Sequence, residues 1–181
     1  MARNVLVPVA DGSEELETVA IVDVLRRAGA NVVLAAVKEL VVTGSKGVKL
    51  VADRLLSDCA SEAFDVIALP GGMPGAERLR DSAVLVALLK RQADEGRLYA
   101  ALCASPAVAL HPHGLLRGKR FTCHPHFAQD VDGQVSGEPV VIDGNLVTGR
   151  GAGTAVDFAL TLVDLLYGGD KAGEVRQGMA M

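Results

Sequence analysis

Short runs of aliphatic and β-branched residues alternate along this chain with longer stretches whose apolar positions recur every three or four residues, the pattern of successive βαβ units. Val5–Val9 reads as the first strand. Gly12 and Ser13 supply a turn and a helix N-cap, Glu14 and Glu15 suit the dipole of the first turn, and Gly29 closes a helix of about four turns. Val32–Val37 is the second strand, and Val41–Val51, with Thr43-Gly44-Ser45-Lys46-Gly47 in its middle, reads as a small hairpin outside the main sheet. Val66–Leu69 and Leu98–Leu102 are unbroken apolar runs separated by a helical stretch from Ser82 to Glu95, as expected of buried parallel strands. Val140–Ile142 and Leu146–Thr148 flank the hairpin signal Asp143-Gly144-Asn145, and a glycine-rich turn, Gly149–Gly153, leads into an apolar helix from Thr154 to Tyr167. The tail Gly168–Met181 reads as a short helix with a loose end. The predicted fold is α/β: a doubly wound, mostly parallel sheet with helices on both faces, formed by residues 1–181 as a single domain.

Composition narrows the possible functions. Aromatics make up only 3% of the chain and Trp is absent, so the core is built from Val, Leu, Ile and Ala. A net charge of −4 with acids and bases interleaved gives neither nucleic acid nor an anionic membrane surface a reason to bind. Cys59, Cys103 and Cys123 are an odd number at no regular spacing, which points to free thiols in a reducing compartment. With no secretory pattern and no apolar stretch near the ~20 residues of a spanning helix, a soluble cytoplasmic protein is expected.

Three places carry candidate chemistry. Cys103 sits where the strand Leu98–Leu102 ends and Ala104-Ser105-Pro106 begins the next element, a strand-nucleophile-helix elbow. Such a turn lifts the thiol above the carboxyl ends of the strands, near helix-end amides that favour a thiolate. A buried structural cysteine is the alternative. Glu17 falls within the apolar arc of Ala20, Ile21, Val24, Leu25 and Ala28, so its carboxyl should face the core or a cleft, where burial raises its pKa. Its alternative is a cap on the first-turn amides. Pro70-Gly71-Gly72 ends its own strand at the same sheet edge and exposes amides that could hold a developing oxyanion.

The remaining motifs are weaker. His111-Pro112-His113 and Cys123-His124-Pro125-His126 lack the cysteine-pair framework of a structural zinc site, so no metal is expected. A single histidine near Cys103, acting as proton carrier or substrate contact, is preferred. Gly149-Arg150-Gly151-Ala152-Gly153-Thr154 lacks the Lys-Ser/Thr of a P-loop and follows a late hairpin, so it reads as a tight turn offering Arg150 near the strand ends.

Taken in order, Asp11-Gly12-Ser13-Glu14-Glu15-Leu16-Glu17-Thr18, Asp65-Val66-Ile67-Ala68-Leu69-Pro70-Gly71-Gly72, Ala101-Leu102-Cys103-Ala104-Ser105-Pro106, His124-Pro125 and Arg150-Gly151-Ala152-Gly153-Thr154 resemble the ThiJ/PfpI superfamily, and most closely its parkinsonism-associated protein deglycase branch. The resemblance implies a flavodoxin-like homodimer with Cys103 as reactive cysteine, Glu17 as its carboxyl partner, the backbone of Gly72 and Ala104 as anion pocket, and His124 as active-site histidine. Three departures matter. Ala104 stands where protease-like relatives carry His, which disfavours peptidase activity. Gly44 stands where close relatives often place a second cysteine, and Ala152 replaces the proline common in the late glycine loop.

The leading expectation is cofactor-independent handling of dicarbonyls such as glyoxal and methylglyoxal, or of early glycation adducts, with Cys103 as nucleophile and Glu17 as proton shuttle. A peroxide sensor or redox-regulated chaperone, in which Cys103 oxidises to sulfinate, is the second reading. A partner-binding domain with an inert thiol is the third.

Overall fold

The apolar runs divide between the two faces of one sheet. In the computed structural model, which describes residues 2–181, the elements in chain order are β1 (Asn4–Val9), α1 (Glu15–Arg27), β2 (Asn31–Ala36), β3 (Val41–Thr43), β4 (Lys49–Val51), β5 (Arg54–Leu55), β6 (Val66–Leu69), α2 (Gly75–Arg80), α3 (Ala83–Asp94), β7 (Leu98–Leu102), β8 (Arg120–Phe121), β9 (Gln134–Val135), β10 (Val140–Asp143), β11 (Leu146–Gly149), α4 (Ala155–Tyr167) and α5 (Gly169–Gly178). Seven strands form the sheet in the order β10-β11-β7-β6-β1-β2-β5, all neighbours parallel except β10 with β11. Alternate residues of a strand point to opposite faces, so Val5, Val7 and Val9 join the core under α1 and α4 while Leu6, Ile67, Leu69 and Tyr99 join the core under α3. This is the doubly wound α/β sandwich that the alternation predicts, of the flavodoxin-like kind that the resemblance implies. The carboxyl ends of β1, β6, β7 and β11 meet at one edge, where open parallel sheets place their ligands.

Pro8 lies in a central strand, a position proline normally avoids for lack of an N–H. The pairing of β1 with β6 covers only Val5 and Leu6, so Pro8 lies past the end of that ladder and leaves no bond unmade there.

Local chemistry differs from the sequence reading at several points. The N-cap of α1 is Glu14, whose Oε2 accepts from Glu17 N at 2.7 Å, whereas Ser13 turns inward and its Oγ accepts from Ala10 N. The first of the two acids predicted to sit on the dipole is therefore the cap itself. β3 and β4 form the expected separate hairpin. The short strands β5, β8 and β9 and the helix α2 carry too few periodic positions to announce themselves. After the elbow the chain makes a π-helical turn over Pro106–Leu110 and then irregular turns. The tail docks as α5 against α4, with Val175 buried and Arg176 paired to Asp157 at 2.9 Å. Among the described residues no helix is long and apolar enough to cross a membrane.

Candidate active site

Cys103 is the first of the three residues between the end of β7 and the turn that opens at Pro106. Its φ is +63°, a left-handed conformation that Ala180 alone shares among the described non-glycine residues, and one that costs a non-glycine residue roughly 1–3 kcal/mol. The surroundings hold it there. Cys103 N donates to Gly149 O at 2.9 Å, Cys103 O accepts from His124 N at 2.8 Å, and the next turn is tied down by Ser105 Oγ donating to Pro70 O at 2.5 Å. Gly149 must be glycine for this to work, because a Cβ there would stand 2.3 Å from Leu102 Cδ1 and 2.9 Å from the Phe158 ring.

Glu17 projects from the first turn of α1 into the same place and is fully buried. Its Oε2 accepts from Gly71 N at 2.7 Å. The Cys103 thiol lies against the same carboxyl, whose Oε1 has no aligned hydrogen-bond partner. Pro70-Gly71-Gly72 lies between the two groups. The Gly71 amide serves Glu17, while the amides of Gly72 and Ala104 lie against the sulfur. Gly71 O in turn accepts from Glu14 N at 2.9 Å, which fixes this loop to the start of α1.

Burial pushes Glu17 from its ordinary 4.5 up to about 7, against the Gly71 amide and the thiol, which pull it down. Cys103 is pushed up to about 12, first by burial, then by the charge on the Glu17 carboxyl that lies against the thiol. The Ala104 and Gly72 amides lower it, as the elbow geometry leads one to expect, but burial and the carboxylate outweigh them. Two negative charges cannot share so dry a pocket, so the pair titrates as a unit. Its first proton leaves at about 7 and its second at about 12, and between these values it carries one negative charge and one proton.

The other candidates stand further out. His124 reaches the elbow through its backbone; its ring is exposed, lies against Gly151, and accepts at Nδ1 from His126 N at 3.2 Å. Among the described residues no side-chain hydrogen bond joins it to Cys103 or Glu17. Arg150 follows β11 at the same edge, but its guanidinium turns to Gly137 O at 3.4 Å. Among the described residues no three His, Cys, Asp or Glu side chains converge as a metal-binding group. A separate cleft of about 420 Å³, lined by Ala10, Asp11, Lys38, Arg78 and Asp81 among others, opens beside β1 and β2 and includes neither Cys103 nor Glu17.

Some supporting residues were not singled out from the sequence. Glu15 is nearly buried, and its carboxylate accepts from Ser45 Oγ, Lys46 N and Val48 N, clasping the β3–β4 loop. Those bonds hold it below the ordinary carboxylate range although burial acts the other way. The carboxyl fills the space beside Gly44 that a side chain would occupy, 2.6 Å from a Cβ built there. Gly71 is as constrained: its Cβ would lie 2.7 Å from Cys103 Cβ and 2.8 Å from Ala104 N and Leu102 O. Gly71→Ala should therefore force elbow and loop apart, lowering the melting temperature by roughly 4–10 °C and slowing alkylation of Cys103. An unchanged melt would show that the two segments can separate without cost.

Comparison with known proteins places this arrangement. The model of the DJ-1/PfpI family matches residues 3–165. Protein DJ-1 homolog B of Arabidopsis thaliana is 51% identical over 93% of this chain, which spans only 39% of that longer protein. A Caenorhabditis elegans protein named glutathione-independent glyoxalase DJR-1.2 is 36% identical over 98% of this chain and 95% of its own length. The solved structure of Toxoplasma gondii DJ-1 in an oxidized form is 46% identical and superposes with a TM-score of 0.97 over 99% of this chain and 98% of that one.

Proposed function

The chain belongs to the DJ-1/PfpI family, and from that premise we propose that it is a cofactor-independent glyoxalase acting on glyoxal, methylglyoxal and related dicarbonyls. One observation carries this reading: a fully buried carboxyl, held through one oxygen by Gly71 N and with the other unpartnered, is coupled to the thiol of Cys103. A group that ionises near 7 and has a vacant oxygen is suited to moving protons at neutral pH. The name of the C. elegans relative supports the substrate class.

In this mechanism the sulfur adds to the aldehyde carbon, and the proton of the pair ends on the new hydroxyl, giving a hemithioacetal. The Gly72 and Ala104 amides receive the oxygen as its charge develops. Glu17 removes the proton from the former aldehyde carbon and returns it to the adjacent carbonyl carbon through an enediol. The internal oxidation and reduction cancel and leave a thioester of the hydroxy acid. Water cleaves that thioester, so the sum is one dicarbonyl plus one water to one hydroxy acid. His124, exposed beside the elbow, exchanges protons with solvent, and Arg150 flanks the entrance as a substrate contact. With an early glycation adduct, the sulfur displaces the protein amine and the remaining steps are the same. The test is methylglyoxal consumption with a chelator present and glutathione absent. One lactate per dicarbonyl is expected; loss of methylglyoxal without lactate would overturn the reading.

The oxidized state of the T. gondii structure favours a second reading for the same pocket, peroxide sensing. Two peroxides would carry the Cys103 thiol to a sulfinate and release two waters, with the protonated Glu17 carboxyl donating to a sulfinate oxygen. Intact mass after mild peroxide should show two added oxygens at Cys103; modification at Cys59 or Cys123 first would contradict it.

We also propose that the protein is a homodimer. Leu16 and Val19 on α1 and Val41, Val48 and Val51 on the adjoining hairpin are each more than half exposed, and a second copy of the chain would cover them. Sedimentation should give twice the chain mass, and Val19→Asp should shift it to the monomer; a monomeric wild type would refute the proposal.

A further inference from the structure

Ser105 enters the sequence reading only as part of the elbow segment Ala104-Ser105-Pro106, yet it is fully buried and its hydroxyl donates to Pro70 O at 2.5 Å. That carbonyl belongs to the same peptide unit as the Gly71 N–H, which donates to Glu17 Oε2 at 2.7 Å. In a trans peptide the C=O and N–H point in opposite directions, so this one planar unit links Ser105 on one side to Glu17 on the other. The Ser105 hydroxyl ties the elbow to the Pro70–Gly72 loop through a side-chain donor, beside the Gly72 amide that lies against the Cys103 sulfur. The next unit is oriented the other way round: Gly71 O accepts from Glu14 N at the start of α1, and the Gly72 N–H faces the sulfur of the elbow.

We propose that Ser105 is a positioning residue for Glu17: its hydroxyl fixes and polarises the Pro70–Gly71 peptide, so that the Gly71 N–H is delivered to the carboxyl as a strong, aligned donor. Hydrogen bonds in a chain strengthen one another in a dry interior, and the alignment is lost if the peptide can rotate. The Gly71 amide favours the ionised carboxylate. Weakening it makes Glu17 harder to ionise and moves the first proton loss of the pair to higher pH. The titratable groups acting on Glu17 are Cys103 on the elbow and Glu14 on its own helix, and Ser105→Ala alters neither charge.

The proposal rests on Cys103 and Glu17 acting as a reactive pair, and the alkylation rate of Cys103 against pH tests both without requiring dicarbonyl turnover. Ser105→Ala should move the inflection upward from about 7 by roughly half a pH unit, and Ser105→Thr, which keeps the hydroxyl, should move it back. In a Glu17→Gln background the same change should leave the profile where Glu17→Gln alone puts it. A role confined to stability would lower the melting temperature without moving the inflection, and that result overturns the proposal. Should Ser105→Ala not fold, Ser105→Gly removes the same hydroxyl and carries the same expectation. If Glu17→Gln alone fails to move the profile, the reactive pair itself is refuted; if it moves while Ser105→Ala does not, only the role of Ser105 falls.

Discussion

Cys103→Ser should abolish dicarbonyl consumption, with a fall of at least about 10³-fold, because a hydroxyl in place of the thiol is far too weak a nucleophile for a pocket that offers no other. The fold should be untouched. Serine is close in volume and keeps the backbone bonds from Cys103 N to Gly149 O and from His124 N to Cys103 O. The left-handed φ of +63° costs serine no more than it costs cysteine. A matching melting curve with turnover gone is therefore the expected pair of results. Substantial turnover in this variant would mean that the hemithioacetal is not on the path.

Glu17→Gln should cost roughly 10²–10⁴-fold in turnover, the usual worth of a positioned proton carrier. The amide can still accept from Gly71 N, so geometry survives while proton transfer does not. The same substitution has an opposite effect on stability, and its sign follows from the direction of the shift. In the folded chain burial holds the carboxyl at about 7 instead of 4.5, so the native state binds the proton more tightly than the unfolded chain. Stability from this group is complete below about 4.5 and is lost as pH rises through about 7. Above 7 the wild type bears a penalty of up to about 3 kcal/mol for ionising Glu17, and glutamine removes it. Glu17→Gln should therefore melt several degrees higher than wild type at pH 8, with the gap closing at pH 4. Equal melts at both values would mean that the carboxyl is not buried at a cost.

The contrast between a loss of activity and a gain of stability is what a site held against its own folding preference produces. It also explains which parts could be read from sequence. Glu17 was legible because a carboxylate at a core position breaks the apolar arc of α1, and the structure buries it completely. Cys103 was legible because a nucleophile followed by small residues and proline, at the end of an apolar run, can only be a tight strand-to-helix turn. The sheet followed from runs such as Val66–Leu69 and Leu98–Leu102, which the register pairs side by side.

What remained hidden depended on contacts between residues distant in sequence. Nothing around Ser105 points to Pro70, 35 residues away, and nothing around Glu15 points to the β3–β4 loop. The N-cap was misassigned to Ser13 because local preference favours serine, whereas Ser13 Oγ serves Ala10 N and leaves the cap to Glu14. The balance between amides and burial at the sulfur was equally out of reach, since desolvation depends on how the whole pocket closes.

The most direct test of the coupled pair is the rate of Cys103 alkylation against pH in the wild type and in Glu17→Gln. In the wild type the rate should rise through about 7, where the pair loses its first proton. With glutamine the thiol must ionise alone in a buried setting, and the inflection should move upward by at least about one pH unit, past the ordinary thiol range near 8.5. Superimposable profiles, or an inflection that moves downward, would contradict the account.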